Sequence, residues 1–253
     1  MLNRQRWDAA CFHQMMATLA RVAPGDHVLD LGCGRGATLG SLIERAGESG
    51  RVFGLDRMDR SLKEAGARYA AAVESGRLVL VQGEVLDLPF PDDTFEVVVC
   101  QNVIERVDDC EAAVVQARRV LKPGGRLLLG HHDFDGIVLA SDDRDLTRRL
   151  VHGFADHKQD WQEAADGQMG RMIPALVANV GFATVEIETK MFVDLNLDEG
   201  SYARDYVGWL ADLAPALGIE RDQVERWATS LEKAAAQERF FFGLPWVAAV
   251  CVK

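Results

Sequence analysis

Three glycines at alternate positions, Gly32, Gly34 and Gly36, could bring the backbone close to a ligand. They follow residues 28–31, an apolar run typical of a buried strand, and precede residues 37–46, which have the apolar period of a helix. A strand, a glycine turn and a helix in this order begin a nucleotide-binding α/β unit. Glycine is needed where the backbone approaches a ligand without room for a Cβ, and the free N–H groups of a helix N-terminus suit an anionic or carboxylate-bearing ligand. The alternative is a glycine turn with a purely structural role.

An acid follows at a distance that fits this hypothesis. Asp56 closes a second apolar run, residues 51–55, and stands about 20 residues beyond the glycine turn. At that place a carboxylate accepts hydrogen bonds from ribose hydroxyls. The spacing therefore predicts that Asp56 binds a ribose, and the alternative is a solvated acid at the end of a strand.

Two histidines and an acid, His131, His132 and Asp133, stand just after a later apolar run, residues 126–129. Ligands of parallel sheets bind at the carboxyl ends of the strands, so these side chains are predicted to face a substrate and to act as a base or as substrate ligands. The alternative is a polar loop in which one histidine has a structural role. No metal is predicted, because adjacent histidines do not generally bind one ion together without a third, distant ligand.

The composition is that of a globular protein. The 253 residues suffice for one large α/β domain with an inserted subdomain. The net charge of -11 argues against a nucleic-acid backbone and against an anionic membrane surface as partners. The N-terminus lacks the apolar segment of a signal peptide, no apolar run is long enough to span a membrane, and the five cysteines form no C-x-x-C pair. These features predict a reduced, cytoplasmic protein.

Strands and helices alternate along the chain. The first five strands are predicted at residues 28–31, 51–55, 78–81, 95–100 and 126–129. Helices are predicted at residues 7–22, 37–46, 59–75, 111–121, 142–157 and 169–180. Residues 95–100, FEVVVC, are apolar throughout, as in a strand buried on both faces of a parallel sheet. The alternation predicts an α/β protein with a doubly wound parallel sheet.

Several motifs taken together resemble one enzyme family. VLDLGCGRG, GLD, QGEVLDLPFPDDTFEVVVCQNVIERV and LKPGGRLLL, in this order and spacing, resemble the class I S-adenosylmethionine-dependent methyltransferases over residues 24–130. The resemblance implies a Rossmann-like sheet of seven strands, the last of them antiparallel. Residues 183–188 and 246–252 are rich in β-forming residues and supply the two late strands of such a fold, with Pro245 marking the entry of the second.

The resemblance also implies a cofactor, S-adenosyl-L-methionine, which leaves as S-adenosyl-L-homocysteine. The implied cofactor residues are Asp30 for the amino group, the Gly32-Cys33-Gly34 backbone for the methionine part, Asp56 for the ribose, Arg57, Glu84 and the Val85 N–H for the adenine, and Gln101 for the methionine end. Two positions depart from the family pattern. Glu84 stands where many members have Asp, so its contact needs a longer reach, and Arg106 stands where many have His, so no role is carried over to it.

The methyl acceptor is predicted to be a small molecule. Relatives that methylate nucleic-acid amino groups carry an Asn/Asp-Pro-Pro-aromatic motif after the fourth strand, whereas residues 101–104 are QNVI. Transfer to O or N is expected, and a carbon acceptor such as a quinone ring is a further option. Two alternatives stay open: an NAD-dependent dehydrogenase, which also fits the glycines and Asp56 but predicts no LPFPDDTF segment, and a non-catalytic cofactor-binding protein. The predicted state is a monomer or a homodimer.

Four regions are predicted along the chain. Residues 1–23 form an N-terminal helix or lid, residues 24–193 the cofactor-binding core, residues 194–243 a helical insert, and residues 244–253 the last strand of the core. Inserts on a fixed scaffold usually carry specificity, so the insert is predicted to cap the substrate pocket. It contains an aromatic stripe that fits either helix packing or a ligand face: Tyr202, Tyr206 and Trp209.

Overall fold

The computed structural model describes residues 9–158 and 167–253. They divide into two compact units. The sheet unit comprises Asp8–His131, Met172–Glu188 and Ala248–Lys253. The helix-rich unit includes His132–Arg171 and Thr189–Val247.

The described residues contain eight strands and nine α-helices. The strands are β1 His27–Leu31, β2 Arg51–Asp56, β3 Leu78–Gln82, β4 Phe95–Gln101, β5 Leu121–His132, β6 Val138–Leu139, β7 Thr184–Asp194 and β8 Phe242–Val252. The helices are α1 Ala9–Leu19, α2 Leu39–Ala46, α3 Asp59–Arg68, α4 Ala70–Glu74, α5 Cys110–Val120, α6 Arg144–Asp156, α7 Met169–Ala178, α8 Tyr202–Leu213 and α9 Arg221–Ala236. Short 3-10 helices lie at Ile104–Arg106, Phe134–Gly136 and Ala214–Leu217.

The strands join in the order β3-β2-β1-β4-β5-β8-β6, and β7 pairs with β8. The pairs β1-β2, β1-β4, β2-β3 and β4-β5 are all parallel, and β8 runs antiparallel to β6. In β4, Val97, Val98 and Val99 expose none of their surface, as expected for a strand that is covered on both faces. The predicted Rossmann-like α/β fold, with an antiparallel last strand, is confirmed.

The sheet has one strand more than the seven that were predicted. The additional strand is β6, whose Val138 and Leu139 pair with Gly243 and Phe242 of β8. A segment of two residues is too short to show the alternation of a strand in the sequence. β6 therefore forms because it pairs with β8, and no pattern in the local sequence predicts it.

Besides β7, which was predicted over residues 183–188 and continues to Asp194, two strands depart from their predicted bounds by more than one residue. β5 was predicted over residues 126–129, but it continues to His132, so His131 and His132 are its last two residues and not part of the following loop. The ladder with β4 already starts at Leu121, before a register shift. β8 begins at Phe242, so Pro245 lies inside the strand and does not mark its entry. In both strands, pairing with a neighbour extends the chain beyond the residues with a local strand pattern.

The helix predicted over residues 59–75 is in fact two helices. α3 ends at Arg68 and α4 begins at Ala70, and Tyr69 between them has φ -117° and ψ 34°. The Tyr69 hydroxyl donates a hydrogen bond to the carbonyl of Gly36 at 2.9 Å. The helical period therefore breaks at the residue whose side chain reaches the glycine turn.

The structure describes the predicted N-terminal lid in part and the predicted insert in full. Helix α1 begins at Ala9, and the earlier part of the predicted N-terminal helix, including Trp7, lies outside the described residues. The predicted insert, residues 194–243, falls inside the helix-rich unit, which also takes in residues 132–171. In the part of the chain that the structure describes, no helix has the length and apolar character needed to cross a membrane.

Candidate functional site

The glycine turn follows β1, and all three of its glycines have left-handed backbones. The φ angle is +67° at Gly32, +51° at Gly34 and +80° at Gly36, values that L side chains rarely adopt. A Cβ on Gly32 would lie 2.4 Å from Cγ2 of Val103, whereas a Cβ on Gly34 would meet no described atom within 4 Å. Gly32 is therefore needed for close packing against Val103, and Gly34 leaves open space at the turn.

Two side chains from neighbouring helices hold the turn. A Cβ on Gly36 would lie 2.9 Å from the ring of Tyr69, whose hydroxyl bonds the Gly36 carbonyl. Thr38 Oγ1 lies 3.1 Å from Nδ1 of His13 in α1. Burial, and then the charge of Arg68, lower the pKa of His13, so a neutral ring faces Thr38. The helical periods around Tyr69 and His13 indicated packing only, because a period does not show which distant backbone a side chain reaches.

Asp56 ends β2 directly beside the turn. Its Oδ2 accepts a hydrogen bond from the Gly34 N–H at 2.8 Å, and its Oδ1 accepts one from the Met58 N–H at 2.8 Å. The Cys33 N–H also donates to the Leu55 carbonyl at 2.9 Å, so the turn is bound to β2 at two points. A carboxylate has about four lone-pair sites. Asp56 therefore retains acceptor capacity for the ribose hydroxyls that the family resemblance assigns to it.

Asp30 carries a buried carboxylate oxygen that lacks a donor. The residue is 3% exposed, and no described residue donates a hydrogen bond to its Oδ2. Burial, and then the charge of Asp56, raise the pKa of Asp30 to about 8. A buried carboxylate is costly unless a cation or a donor compensates for the lost water. Asp30 therefore fits the amino group that the resemblance assigns to it.

The residues predicted to hold an adenine lie at the ends of β2 and β3. These strands are neighbours, and Asp56 pairs in register with Gln82. The Gln82 side chain donates a hydrogen bond to the Arg57 carbonyl at 3.1 Å. Beyond β3, Glu84 is exposed, whereas Val85 is 8% exposed. The structure thus brings Arg57, Glu84 and Val85 to the edge of the sheet that also carries Asp56.

Gln101, predicted for the methionine end, is the last residue of β4. It pairs in register with Gly130 of β5. The next residue, Asn102, has φ +51° and donates its N–H to the Gly130 carbonyl at 3.1 Å. Asparagine is one of the residues that adopt this conformation most readily. Gln101 therefore lies at the same carboxyl edge of the sheet as Asp30 and Asp56.

The first predicted histidine, His131, faces a buried carboxylate. Its Nε2 lies 2.7 Å from Oε2 of Glu105, and the two side chains are 0% and 2% exposed. Burial acts to raise the pKa of Glu105, but the interactions with His131 and Arg106 outweigh it, so the pKa lies below its usual value. Glu105 was not predicted to contact His131, because nothing in the local pattern of either residue points to the other.

The second histidine, His132, belongs to the helix-rich unit and is 3% exposed. Its ring centroid lies 5.3 Å from that of Phe192 and 6.0 Å from that of Tyr202, both in edge-to-face contact. Further ring contacts extend this group, here called the aromatic cluster, through Phe134, Phe154, Tyr206, Trp209 and Phe242. Trp209 is 50% exposed. The aromatic cluster therefore extends from buried His132 to the surface of its unit.

The acid of the predicted trio, Asp133, is held by an arginine. Its Oδ2 accepts hydrogen bonds from Nε of Arg171 at 2.7 Å and from the Arg171 backbone N–H at 3.0 Å, and its Oδ1 accepts from the Gly136 N–H at 3.0 Å. The hydrogen bond with Asp133 is the main cause of the raised pKa of Arg171. His131, His132 and Asp133 thus have three different sets of partners, although they are consecutive in the chain.

A large cleft in the helix-rich unit has about 1140 Å³, and none of the predicted site residues lines it. Its walls carry charged side chains of both signs from the N-terminal ends of α6 and α9. The candidate site therefore consists of the side chains at the strand ends. Within residues 9–158 and 167–253, no group of His, Cys, Asp and Glu side chains is arranged as a metal site.

Comparison with known proteins gives a family match that contains these strand ends. Residues 23–196 match the family model described as a methyltransferase domain. A protein of transposon TN4556 from Streptomyces fradiae is 31% identical over 248 residues, which are 96% of this chain and 65% of the relative. A 2-phytyl-1,4-naphtoquinone methyltransferase from Synechococcus elongatus is 37% identical over 113 residues, which are 45% of this chain and 48% of the relative. This chain thus spans less than two thirds of each relative.

A solved structure extends the likeness to nearly the whole chain. The cyclase SpnF is similar with a TM-score of 0.60 at 17% identity, covering 99% of this chain and 83% of that chain. Such a likeness shows the fold alone. Since SpnF is named as a cyclase, the shared fold does not by itself identify the reaction of this chain.

Proposed function

The chain belongs to the methyltransferase family whose domain matches residues 23–196, and from this premise we propose that it transfers a methyl group from S-adenosyl-L-methionine to a small molecule. The arrangement of Asp30, Gly34 and Asp56 at one edge of the sheet carries the proposal. Asp30 offers a buried oxygen without a donor, Gly34 leaves open space, and Asp56 holds the turn while keeping acceptor capacity. The dehydrogenase alternative, which the glycines alone also suited, has no support from the family match.

These residues suit a ligand that carries both an ammonium group and a ribose. The Asp30 carboxylate would pair with the ammonium, the Gly32-Cys33-Gly34 backbone would lie along the methionine part, and Asp56 would accept from the ribose hydroxyls. When bound, S-adenosyl-L-methionine supplies an electrophilic methyl group on a sulfonium. The remaining contacts that we propose are those of Arg57, Glu84 and the Val85 N–H with the adenine, and of Gln101 with the methionine end.

The protein promotes methyl transfer mainly by positioning the acceptor against the methyl group and by excluding water from both. A sulfonium is already a good leaving group, so the chain has to align the acceptor and, for a hydroxyl acceptor, to take up a proton. We propose that this proton-accepting or anchoring group comes from His131, His132 and Asp133. His132 packs edge-to-face against Tyr202, which belongs to the segment predicted to cap the acceptor, so His132 is the member that we favour.

The acceptor is proposed to be a small molecule that is methylated at O or N. The name of the Synechococcus relative favours a second candidate, a ring carbon of a quinone. That match spans 45% of this chain, so the substrate of the relative enters here as a hypothesis. Residues 194–243 are proposed to cap the acceptor, and the net charge of -11 supports the absence of a nucleic-acid partner. A cytoplasmic location also stays a prediction.

The proposal is tested by calorimetric titration with S-adenosyl-L-methionine and S-adenosyl-L-homocysteine, followed by transfer of a labelled methyl group to quinones, phenols and amines. We expect both cofactor forms to bind and at least one acceptor class to be labelled. Asp30→Asn should weaken binding, whereas Asp142→Asn, on an exposed residue of the helix-rich unit, should not. Binding without transfer to any class would favour a non-catalytic cofactor-binding protein. Absence of binding would contradict the proposal.

A further inference from the structure

Resting on the proposed function, we infer that the buried pair of Glu105 and His131 is a positioning device. It sets the chain segment that leaves β4 against the glycine turn of the cofactor site. The pair joins the short 3-10 helix Ile104–Arg106 to the end of β5 through the 2.7 Å contact between Glu105 Oε2 and His131 Nε2. Both residues lie in the sheet unit.

The segment between Gln101 and Glu105 is held at two points. At its start, the Asn102 N–H donates to the Gly130 carbonyl at 3.1 Å, which continues the ladder between β4 and β5 by one bond. At its end, Glu105 meets His131, the residue directly after Gly130. The side chain of Val103 lies between these two points, so both of them determine where it sits.

Val103 is in turn the wall against which the glycine turn packs. An ideal Cβ on Gly32 would lie 2.4 Å from Cγ2 and 2.8 Å from Cγ1 of Val103, so that only a glycine fits there. A close-packed contact of this kind transmits small displacements, because packed interiors leave little free volume. A shift of Val103 would therefore move Gly32 and, with it, the Gly34 N–H that bonds Asp56.

The polar character of the pair agrees with a role in placing the segment. A buried polar pair is not needed for stability alone, since a well-packed apolar pair of similar volume is often as stable, whereas removal of one partner leaves the other polar group buried alone. A carboxylate and an imidazole that meet at 2.7 Å allow one geometry, whereas an apolar contact tolerates sliding. The His131 side chain is 0% exposed, and its Nε2 lies 2.7 Å from Oε2 of Glu105. These features assign His131 to positioning and leave proton transfer to another group.

The experiment compares four variants of the full chain: Glu105→Leu, His131→Leu, the double variant with both changes, and Glu105→Gln. The dissociation constant of S-adenosyl-L-homocysteine is measured by calorimetry well below each unfolding midpoint, together with KM for the cofactor and kcat. Glu111→Gln, on an exposed residue of α5, is the matched control for the loss of a carboxylate. Wild-type binding is measured first, because its absence would contradict the proposed function and not this inference.

For a positioning pair, each single leucine variant should raise the dissociation constant and the cofactor KM by about tenfold or more, because one buried partner is left alone. The double variant leaves no buried polar partner alone and should recover the unfolding midpoint, but its dissociation constant should stay raised by about fivefold or more, because an apolar contact does not fix the segment, and kcat should be largely retained. Glu105→Gln keeps an acceptor for the Nε2–H, and its dissociation constant should lie between those of the wild type and of the single leucine variants. It also serves as the test if the single leucine variants do not fold.

Two results would overturn the inference. In the first, the folded single variants and Glu105→Gln bind the cofactor product as tightly as the wild type does. In the second, the double variant binds as tightly as the wild type but loses more than about a hundredfold in kcat, which is the signature of a lost proton-transfer group. The second result would assign the chemistry itself to His131.

Discussion

The backbone N–H of Gly34 donates a hydrogen bond to Oδ2 of Asp56 at 2.8 Å, so the acid expected to hold a ribose also holds the glycine turn. The turn follows β1 and the acid ends β2, and this bond fixes their separation. The second oxygen of Asp56 caps the Met58 N–H in the same way. A cofactor would therefore meet a site in which the carboxylate is already oriented, which lowers the entropic cost of binding.

Replacement of Asp56 should weaken the cofactor complex. Asp56→Ala removes both the proposed ribose contact and the bond that orients Gly34, and a lost charge-assisted hydrogen bond should cost about 1.5–3 kcal/mol of binding free energy. Calorimetric titration with S-adenosyl-L-methionine gives this value. Asp59→Ala, an exposed acid at the start of α3, is the matched control. Unchanged affinity in a folded Asp56→Ala protein would remove Asp56 from the site.

Asp30 should make the free energy of unfolding depend on pH, and this dependence should be absent from the Asp30→Asn variant. Burial raises its pKa in the folded chain from 3.8 to about 8, so at intermediate pH the folded state holds a proton that the unfolded chain has lost. The contribution of Asp30 to the free energy of unfolding is therefore fully present below about pH 4 and is lost as the pH rises through 8. Relative to the wild type, Asp30→Asn should therefore become more stable at pH 8.5 than at pH 5.

The comparison is made on the ligand-free protein by urea unfolding at both pH values, with Asp59→Asn as the exposed control. The measured quantity is the difference in the free energy of unfolding between variant and wild type at each pH. The contributions of the other titrating groups cancel in this difference. If the difference does not change with pH, Asp30 does not carry the raised pKa that its burial indicates.

The pair of Asp133 and Arg171 should stabilise the helix-rich unit. Asp133→Ala removes the acceptor of the Gly136 N–H as well as that of Arg171, whereas Arg171→Ala keeps the first of these bonds. We expect Asp133→Ala to lower the free energy of unfolding by about 1–3 kcal/mol and Arg171→Ala by less, because the Arg171 side chain is half exposed. Denaturant unfolding measures both values, with Asp145→Ala, at a 95% exposed side chain, as control. Equal stabilities of all three variants and the wild type would show that the pair contributes nothing.

His132 is the predicted base or anchor, and His132→Ala should lower turnover with cofactor binding retained. Help from a general base is typically worth about 10²–10⁴ in rate, and the loss should be greatest at pH values where a neutral imidazole predominates. Methyl transfer is assayed across pH, with binding measured in parallel. His152→Ala, at a 58% exposed side chain of the same unit, is the control. If His131, His132 and Asp133 can each be replaced with no more than a few-fold change in turnover, the trio is structural and the reaction depends on positioning alone.

The aromatic cluster should affect the acceptor more than the cofactor. Trp209 is 50% exposed, so Trp209→Ala changes the surface of the cluster at little cost to folding, whereas Tyr206 is 5% exposed and packs against five neighbouring rings. The KM of the acceptor should rise by about tenfold for a lost aromatic contact of roughly 1.4 kcal/mol. The cofactor KM should stay constant, and Val115→Ala, at 45% exposure in α5, is the control. Equal losses for acceptor and cofactor would count against a cap.

The sequence by itself determined the order of the elements and the edge of the sheet that carries the site. A strand followed by alternating glycines, an acid at the end of the next strand and a fully apolar fourth strand are local patterns, and local patterns set backbone geometry and burial. They were enough to predict a doubly wound parallel sheet and to place Asp56 and Gln101 at its carboxyl edge, because parallel strands end together. The antiparallel last strand and the role of Asp30 were implied only by the family resemblance.

Only the tertiary structure decided which partner each polar side chain has. Gly32 is needed because of Val103, Tyr69 interrupts a helix at the glycine turn, His131 faces Glu105, and Asp133 is held by Arg171. In each case the partner lies far along the chain, and the hydrogen bond or contact appears only after the strands and helices have packed. A side chain at a strand end therefore has a predictable place, but its hydrogen bonds depend on residues that no local period connects to it.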